Sequence, residues 1–300
     1  ENGLEVEYPE GKPFAVCLTH DVDFIYPPLQ HTLLSTVTCI KEQELSRAKD
    51  QLFWRLQGNE RSPYRRFEEI MDLEEKYGAN SSFFFLATDA DISHLRYDIE
   101  ELEADLGQIS DRNHEIGLHG GYYAYNDLEA IQREKARLER VLNASVIGYR
   151  GHFLRFNVPD TWNYLYKAGF KYDTTLGYRD AVGFRNGMSH PYYPVDLNEG
   201  GSVLPILEIP LIIMDGTLFD SVNSFDEAFA VAKKLVDVVE AHNGVLTVCW
   251  HSNSFNCPYR KSWDKLYEAL LKYCWKKNAW LTDAECVYHW WNREHYHINM

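Results

Sequence analysis

Between Pro63 and the C-terminus, short apolar runs alternate with stretches whose apolar residues fall at helical spacing, and this alternation restricts the fold most. Ser81 to Leu86, Glu115 to Leu118, Val146 to Tyr149, Phe170 to Thr174, Leu204 to Leu211 and Val245 to Trp250 read as strands, with Phe14 to Leu18 ahead of them. Ser62-Pro63 is read as the start of a helix that carries Phe67, Ile70, Met71 and Tyr77 and stops at Gly78. Asn126, with Glu129 three residues on, is read as the cap of a helix over about 126–142. Further helices are expected at 98–112, Pro159 to Ala168, 225–242, 260–277 and 283–293. Strands that alternate with helices lie parallel, and about seven such units in this length predict an α/β fold closed into a (β/α)7–8 barrel; an open doubly wound sheet is the alternative. At 300 residues and 45% hydrophobic, the chain can bury one large core, and 1–300 is read as a single domain. Two segments break the repeat: 24–62, expected to be helical around 31–57, and the turn-rich 176–203. Long loops at strand ends commonly build or cover a site.

Four strand ends carry polar residues. Thr19-His20-Asp21-Val22-Asp23 follows the first apolar run, and a period of two puts Asp21 and Asp23 on one side with His20 facing away. Two carboxylates on one side repel unless a cation or a shared proton relieves them. His119 follows Ile116-Gly117-Leu118 and precedes Gly120-Gly121, a pair that lets backbone approach a ligand. Arg150 and His152 end the third strand, and Trp250-His251 the fourth. In a parallel barrel these ends meet at one mouth. Such a set suits metal-assisted hydrolysis: carboxylate and imidazole bind divalent ions, Zn²⁺ foremost and Co²⁺, Ni²⁺ or Mn²⁺ as alternatives. A second carboxylate takes a proton from water, an imidazolium supplies one to the leaving group, and Arg150 keeps its carboxylate ionised.

A net charge of −15 argues against nucleic acid or an anionic membrane as partner. The six cysteines show no CxxC pair or zinc-finger spacing and favour a reducing, cytoplasmic compartment. No apolar run is long enough to be a transmembrane segment.

In order along the chain, these motifs resemble the polysaccharide deacetylase superfamily, the NodB-type carbohydrate esterases. Thr19-His20-Asp21-Val22-Asp23 stands where that family has Thr-Phe-Asp-Asp, and His114-Glu115-Ile116-Gly117-Leu118-His119 where it has His-Glu-Ile-Gly-Asn-His. Ser81 to Leu86 is similar to its aromatic second strand, Tyr149-Arg150-Gly151-His152-Phe153 to its Arg-x-Pro-Tyr motif, and Leu246 to His251 to its late strand. The resemblance implies an irregular barrel that removes acetyl groups from N- or O-acetylated sugars by metal-activated water. It implies Asp21 as base, Arg150 as the residue orienting it, His119 as a metal ligand and His251 as acid, with a backbone N–H near Gly151-His152 at the oxyanion. The family's metal-binding second Asp falls on Val22, for which Asp23 is the natural substitute. Its second metal His falls on Tyr123, a poor ligand, and His152 offers an imidazole from the neighbouring strand end. Either the metal site is rebuilt as Asp23, His119 and His152, or it has decayed.

The chain has 20 Tyr and 8 Trp, and aromatic faces stack on sugar rings, so Tyr123 and Trp250, with Asp173 and Arg185, are the candidate substrate contacts. Met214-Asp215 also ends a strand-like run and is either a cap or a site residue. His114 is expected to pack at its strand's start, and His289, His295 and His297 to lie on the surface. The leading expectation is a metal-dependent deacetylase of an acetylated sugar or oligosaccharide. Its competitors are a hydrolase of another C–N (amide) bond and a non-catalytic carbohydrate-binding protein of the same fold.

Overall fold

The computed structural model describes residues 6–89, 97–198, 200–222, 224–260 and 262–295. Strand β1 (Ala15–Val22) leads into a helical hairpin, α1 (Leu29–Lys41) and α2 (Leu45–Gln57), then α3 (Phe67–Glu75) and β2 (Ser82–Leu86). Next come α4 (Glu103–Asp111), β3 (Glu115–Gly120), α5 (Leu128–Leu142), β4 (Gly148–Gly151), α6 (Asp160–Lys167) and β5 (Tyr172–Asp173). The short strands β6 (Val195–Asp196) and β7 (Ser202–Val203) pair within the long connection, ahead of β8 (Leu207–Glu208), β9 (Leu211–Met214) and α7 (Asp215–Asp220). Helix α8 (Phe225–Ala241), β10 (Val245–Cys249), α9 (Trp263–Lys276), β11 (Trp280–Thr282) and α10 (Ala284–His295) complete the order.

Eight strands run parallel in the order β8-β5-β4-β3-β2-β1-β10-β9. The ends of that path, β8 and β9, are joined by Ile209-Pro210, so the sheet curls into an irregular barrel whose seam lies between them. Strand β11 pairs with Ala15–Cys17 of β1, while β2 takes over at Thr19, so one edge of β1 is shared by two neighbours. The expected parallel (β/α) barrel is the observed fold. Three local readings shift. Helix α3 begins at Phe67, with Ser62-Pro63 in the preceding turn. The cap of α5 is Asp127, whose carboxylate accepts from the Ala130 N–H, rather than Asn126. The run Leu204 to Leu211 is divided between two strands at Pro210, which has no N–H to give a ladder.

The period of two sorts β1 between two cores. Ala15 and Cys17 pack inside the barrel with Phe84, Tyr172, Leu207 and Val245. Val16 and Leu18 pack outward with α8 and α9, through Val236, Leu270 and Leu271 among others. Strand β10 does the same, with Val245 inside and Leu246, Val248 and Trp250 in the outer cluster. Every strand-end residue therefore faces either the barrel axis or the helix layer according to its parity.

Glu115 lies inside, at the opposite end of β3 from His119, and accepts from the Ser82 and Tyr172 hydroxyls and the Glu285 N–H. Burial and the neighbouring Asp283 push its carboxyl up to about 8. Its folded value exceeds the unfolded one of about 4.3, so its contribution to stability is full below about pH 4 and is lost as pH rises through about 8. Glu115→Gln removes that dependence. In thermal melts, the variant is expected to match the parent near pH 4 and to exceed it by roughly 4–5 kcal/mol at pH 9. A melt difference independent of pH would show that Glu115 is ionised in the fold at all these pH values.

Candidate metal and acid–base site

The ends of β1, β3, β4 and β10 bring six side chains together on the barrel axis. Parity sets their direction: Asp21 and Asp23 continue the inward series of Ala15 and Cys17, and His119 and Arg150 are paired across β3 and β4. Val22 and His20 fall on the other parity. Val22 is fully buried in the outer core with Phe83 and Phe85. The His20 Nδ1 is 2.8 Å from the Trp250 carbonyl and its Nε2 is 2.8 Å from Glu74 on α3, so it is a core residue away from the mouth.

Asp23 Oδ1 is 3.2 Å from His119 Nε2 and 3.6 Å from His152 Nε2. One ligand atom from each of these three residues lies within 4.8 Å of the others. His119 Nδ1 is 3.0 Å from the Arg150 carbonyl, an acceptor only, so the ring's hydrogen sits on Nδ1 and the Nε2 lone pair faces Asp23. Burial alone would push the Asp23 carboxyl up. The His119 and His152 rings beside it, with His251 behind them, outweigh burial and hold Asp23 well below the usual carboxylate range. One ionised carboxylate and two imidazoles, one with its tautomer fixed by backbone, form a donor set suited to Zn²⁺ and similar divalent ions, so the residues present fit the implied metal.

Asp21 lies beside this set. Arg150 Nη1 donates to its Oδ1 at 3.2 Å, and His119 Nε2 is 3.7 Å from its Oδ2. Burial works against the Asp21 charge, but Arg150, then His119 and His251, hold its carboxyl below the ordinary value. The guanidinium is fully buried, lies 5.0 Å over the Phe84 ring and donates from Nη2 to Thr174 Oγ1 at 3.0 Å. Cys249, Asp21 and His251 also fall within 4.8 Å of one another. Burial and Asp21 push the Cys249 thiol well above its usual value, so it stays neutral and is the poorer ligand set.

His251 faces the set from the β10 side, its Nε2 3.9 Å from Asp23 Oδ2. Its Nδ1 is 2.6 Å from Asp215 Oδ1, and its backbone N–H and the Ser254 hydroxyl both donate to Asp215 Oδ2. Burial opposes the imidazolium, yet Asp215, with Asp23 and Asp21 behind it, lifts His251 to about 9. Asp215 is the partner that strand-end reasoning left undecided; its signal was Met214-Asp215 closing a strand one place from β10 in the sheet.

Other expected site residues lie elsewhere. Trp250 is fully buried on the outer parity, against Tyr267 and Phe219, so its indole braces the strand end from behind and offers no face to a sugar. Asp173 is buried beside the carboxyl of Glu208 and accepts from Thr175 N–H and hydroxyl; burial pushes both carboxyls up, and the Asp173 carboxylate pushes Glu208 up further. It thus supports the turn whose Thr174 holds Arg150. Thr175 Oγ1 accepts from the Gly151 N–H at 2.8 Å, so that N–H is engaged and is no oxyanion donor. Arg185 donates to the Gly177 carbonyl and braces the long connection. Tyr123 is 62% exposed, edge-on to Tyr122, beside a depression lined by Thr88 and Arg137. Gly120 and Gly121 make room for protein: a Cβ on Gly120 would lie 2.1 Å from the Tyr149 hydroxyl, and one on Gly121 2.7 Å from Glu134. His114 packs at the start of β3 against Ser81, and His289 is exposed. The side chain of His295 and all of His297 lie outside the described residues.

No protein-family model matches the sequence, and no curated protein does. Solved structures do match in shape. A candidate polysaccharide deacetylase from Pseudomonas aeruginosa PAO1 superposes with a TM-score of 0.65 at 16% identity, over 96% of this chain and 94% of that one. The allantoinase Puue gives 0.64 at 15% identity, over 96% and 93%. A candidate polysaccharide deacetylase from Mycobacterium smegmatis gives 0.60 at 18% identity, over 95% and 92%. At such identities the likeness is one of fold, and the fold of this chain is that of the polysaccharide deacetylases.

Proposed function

We propose that the chain is a divalent-metal-dependent hydrolase that removes an acetyl group from an N- or O-acetylated sugar. The observation that carries this reading is the convergence of Asp23, His119 and His152 between two oppositely charged helpers, Asp21 on Arg150 and His251 on Asp215. Asp23, His119 and His152 would hold the ion, which when bound supplies positive charge for a developing oxyanion and lowers the pKa of a water towards about 7. Asp21, kept ionised by Arg150, accepts a proton from the attacking water as the new C–O bond forms at the acetyl carbon. His251, kept protonated by Asp215, gives its proton to the departing nitrogen or oxygen as the old bond breaks. The proton gained by Asp21 balances the one lost by His251, so acetic acid and the free sugar are the products, and a proton passed from Asp21 to His251 restores the pair.

The acetylated-sugar substrate is supported by neighbours described as polysaccharide deacetylases. A second reading, hydrolysis of a small amide, is favoured by the neighbour named for allantoin, which superposes as well as they do. The fold alone accommodates both.

The test combines two measurements. Titration calorimetry with Zn²⁺, Co²⁺ and Ni²⁺ is expected to give binding tighter than micromolar, weakened about 100-fold or more in His152→Ala. Acetate release is then measured on N-acetylglucosamine oligomers and chromogenic acetyl esters. Metal affinity no tighter than about millimolar ends the metal-hydrolase reading. Tight metal binding without acetate release, but with turnover of a small amide, selects the second reading.

A further inference from the structure

The hairpin α1–α2, inserted directly after the Asp21/Asp23 strand end, has its amphipathicity reversed. Helix α1 buries Thr32, Ser35, Thr36 and Cys39 and leaves Leu29, Leu33, Leu34, Val37 and Ile40 about half exposed or more. Helix α2 buries Ala48, Gln51 and Trp54 and leaves Leu45, Leu52, Phe53 and Leu56 exposed, Leu56 at 84%. A surface helix normally turns its apolar stripe to the core. Leu29, Leu33, Val37 and Ile40 recur at i, i+4, i+8 and i+11, so they form one continuous outward stripe. Nine of the twenty exposed large apolar side chains among the described residues lie between 29 and 56, which marks this as one patch rather than the scatter any surface carries.

We infer that this face is a two-fold contact between two copies of the chain. Charge selects the occupant. Residues 24–62 hold five Lys/Arg against four Asp/Glu, a net +1, so the other residues carry −16 of the chain's −15. Residues 29–40 hold no Asp, Glu, Lys or Arg at all. Two bodies so acidic repel wherever else they touch, and the hairpin is where they meet without like charges facing. A charged macromolecule finds nothing to pair with on the α1 stripe, whereas an uncharged apolar surface complements itself across a two-fold axis, as in homodimer interfaces. The membrane-surface alternative lacks the Lys/Arg-rich polar face such helices use, since the reverse side of α1 is Thr, Ser and Cys packed into the protein. No helix among the described residues is long and apolar enough to cross a membrane. Nine side chains, each 42–84% exposed, leave uncovered an area of the order of the ~800 Å² that a standard interface takes from each partner. The contact borders the site, because Arg47 and Gln51 of α2 both donate to Asn256, two residues beyond Ser254.

Sedimentation equilibrium of the purified 300-residue chain over about 1–100 µM reads the contact. A dimer is expected, with self-association weakened about 100-fold or more in Leu33→Lys/Leu56→Lys. Both positions are exposed, at 50% and 84%, so the far-UV circular-dichroism spectrum and a single cooperative melt are expected to be kept, which excludes misfolding as the cause. Leu197→Lys, at a 72% exposed position outside the hairpin, leaves the association unchanged. A chain that stays monomeric throughout, or a dimer indifferent to the double variant, overturns the inference. So does a monomer that co-sediments with phosphatidylcholine vesicles, which would make lipid the occupant.

Discussion

Asp21→Asn is expected to lower acetate release about 10³-fold or more while zinc affinity stays within about tenfold. The amide keeps an oxygen for Arg150 Nη1 but cannot take up a proton, so hydrogen-bond geometry survives and the base is lost. Asp23, His119 and His152 are untouched by the change, which is why metal binding separates base from ligand. The substitution has a second, independent effect. The Arg150 guanidinium is fully buried and Asp21 is the carboxylate that compensates it, so the variant leaves a cation without counter-charge. Breaking a buried pair from one side costs about 3–5 kcal/mol, and the retained hydrogen bond puts Asn at or below the lower end of that range. Asp21→Asn/Arg150→Met, which removes both charges, is expected to recover much of the lost melting temperature without recovering turnover. Turnover within tenfold of the parent would falsify the assignment of Asp21 as base. A double variant less stable than either single one would deny that the two charges compensate each other.

The alternation of strands and helices was legible from Pro63 onward because barrel strands such as β2 and β10 are buried on both faces and read as largely apolar runs. The inward residues at the strand ends were legible for a different reason: parallel strands carry their C-terminal ends to one mouth. Period two separated Asp21 and Asp23 from His20, and the structure keeps that separation. Applied to β10, the same rule sets Trp250 apart from His251, and Trp250 is indeed in the outer core. Aromatic character had outweighed parity there. Asp173 was placed at the right end of its strand, but its partner Glu208 lies 35 residues on, and no local pattern announces a shared proton between distant carboxyls. The engagement of the Gly151 N–H by Thr175 was hidden for the same reason. The hairpin was legible as helices, yet its reversed face was not, since periodicity reports that a stripe exists and not which way it points.

Asp215→Asn is expected to cost about 10²–10⁴-fold in turnover, and the form of its pH profile separates an acid–base role from a structural one. Asp215 receives four hydrogen bonds, two from His251 and one each from Ser254 and the Gly216 N–H, so it sets both the ring's position and its proton. An Nδ1–H···carboxylate contact at 2.6 Å leaves Nε2 as the atom that carries the transferable proton towards Asp23 and the mouth. An asparagine can present its NH₂ to Nδ1, which fixes the opposite tautomer and turns Nε2 into a donor with no lone charge behind it. The direction of the pH effect follows from the charges. Burial lowers the affinity of His251 for its proton, and Asp215, the main opposing influence, lifts it to about 9. A protonated acid is required, so the parent's activity is expected to fall as pH rises through about 9. Without the Asp215 charge, burial prevails and the alkaline limb moves down towards or below the ordinary histidine value of about 6.5. The variant's deficit is therefore largest at pH 8 and smallest near pH 6, where the imidazole recovers its proton. NMR titration of the His251 ring should move in the same sense as the kinetic limb. A deficit uniform across pH, with the ring titrating where the parent's does, would reduce Asp215 to a packing role and remove His251 as the acid.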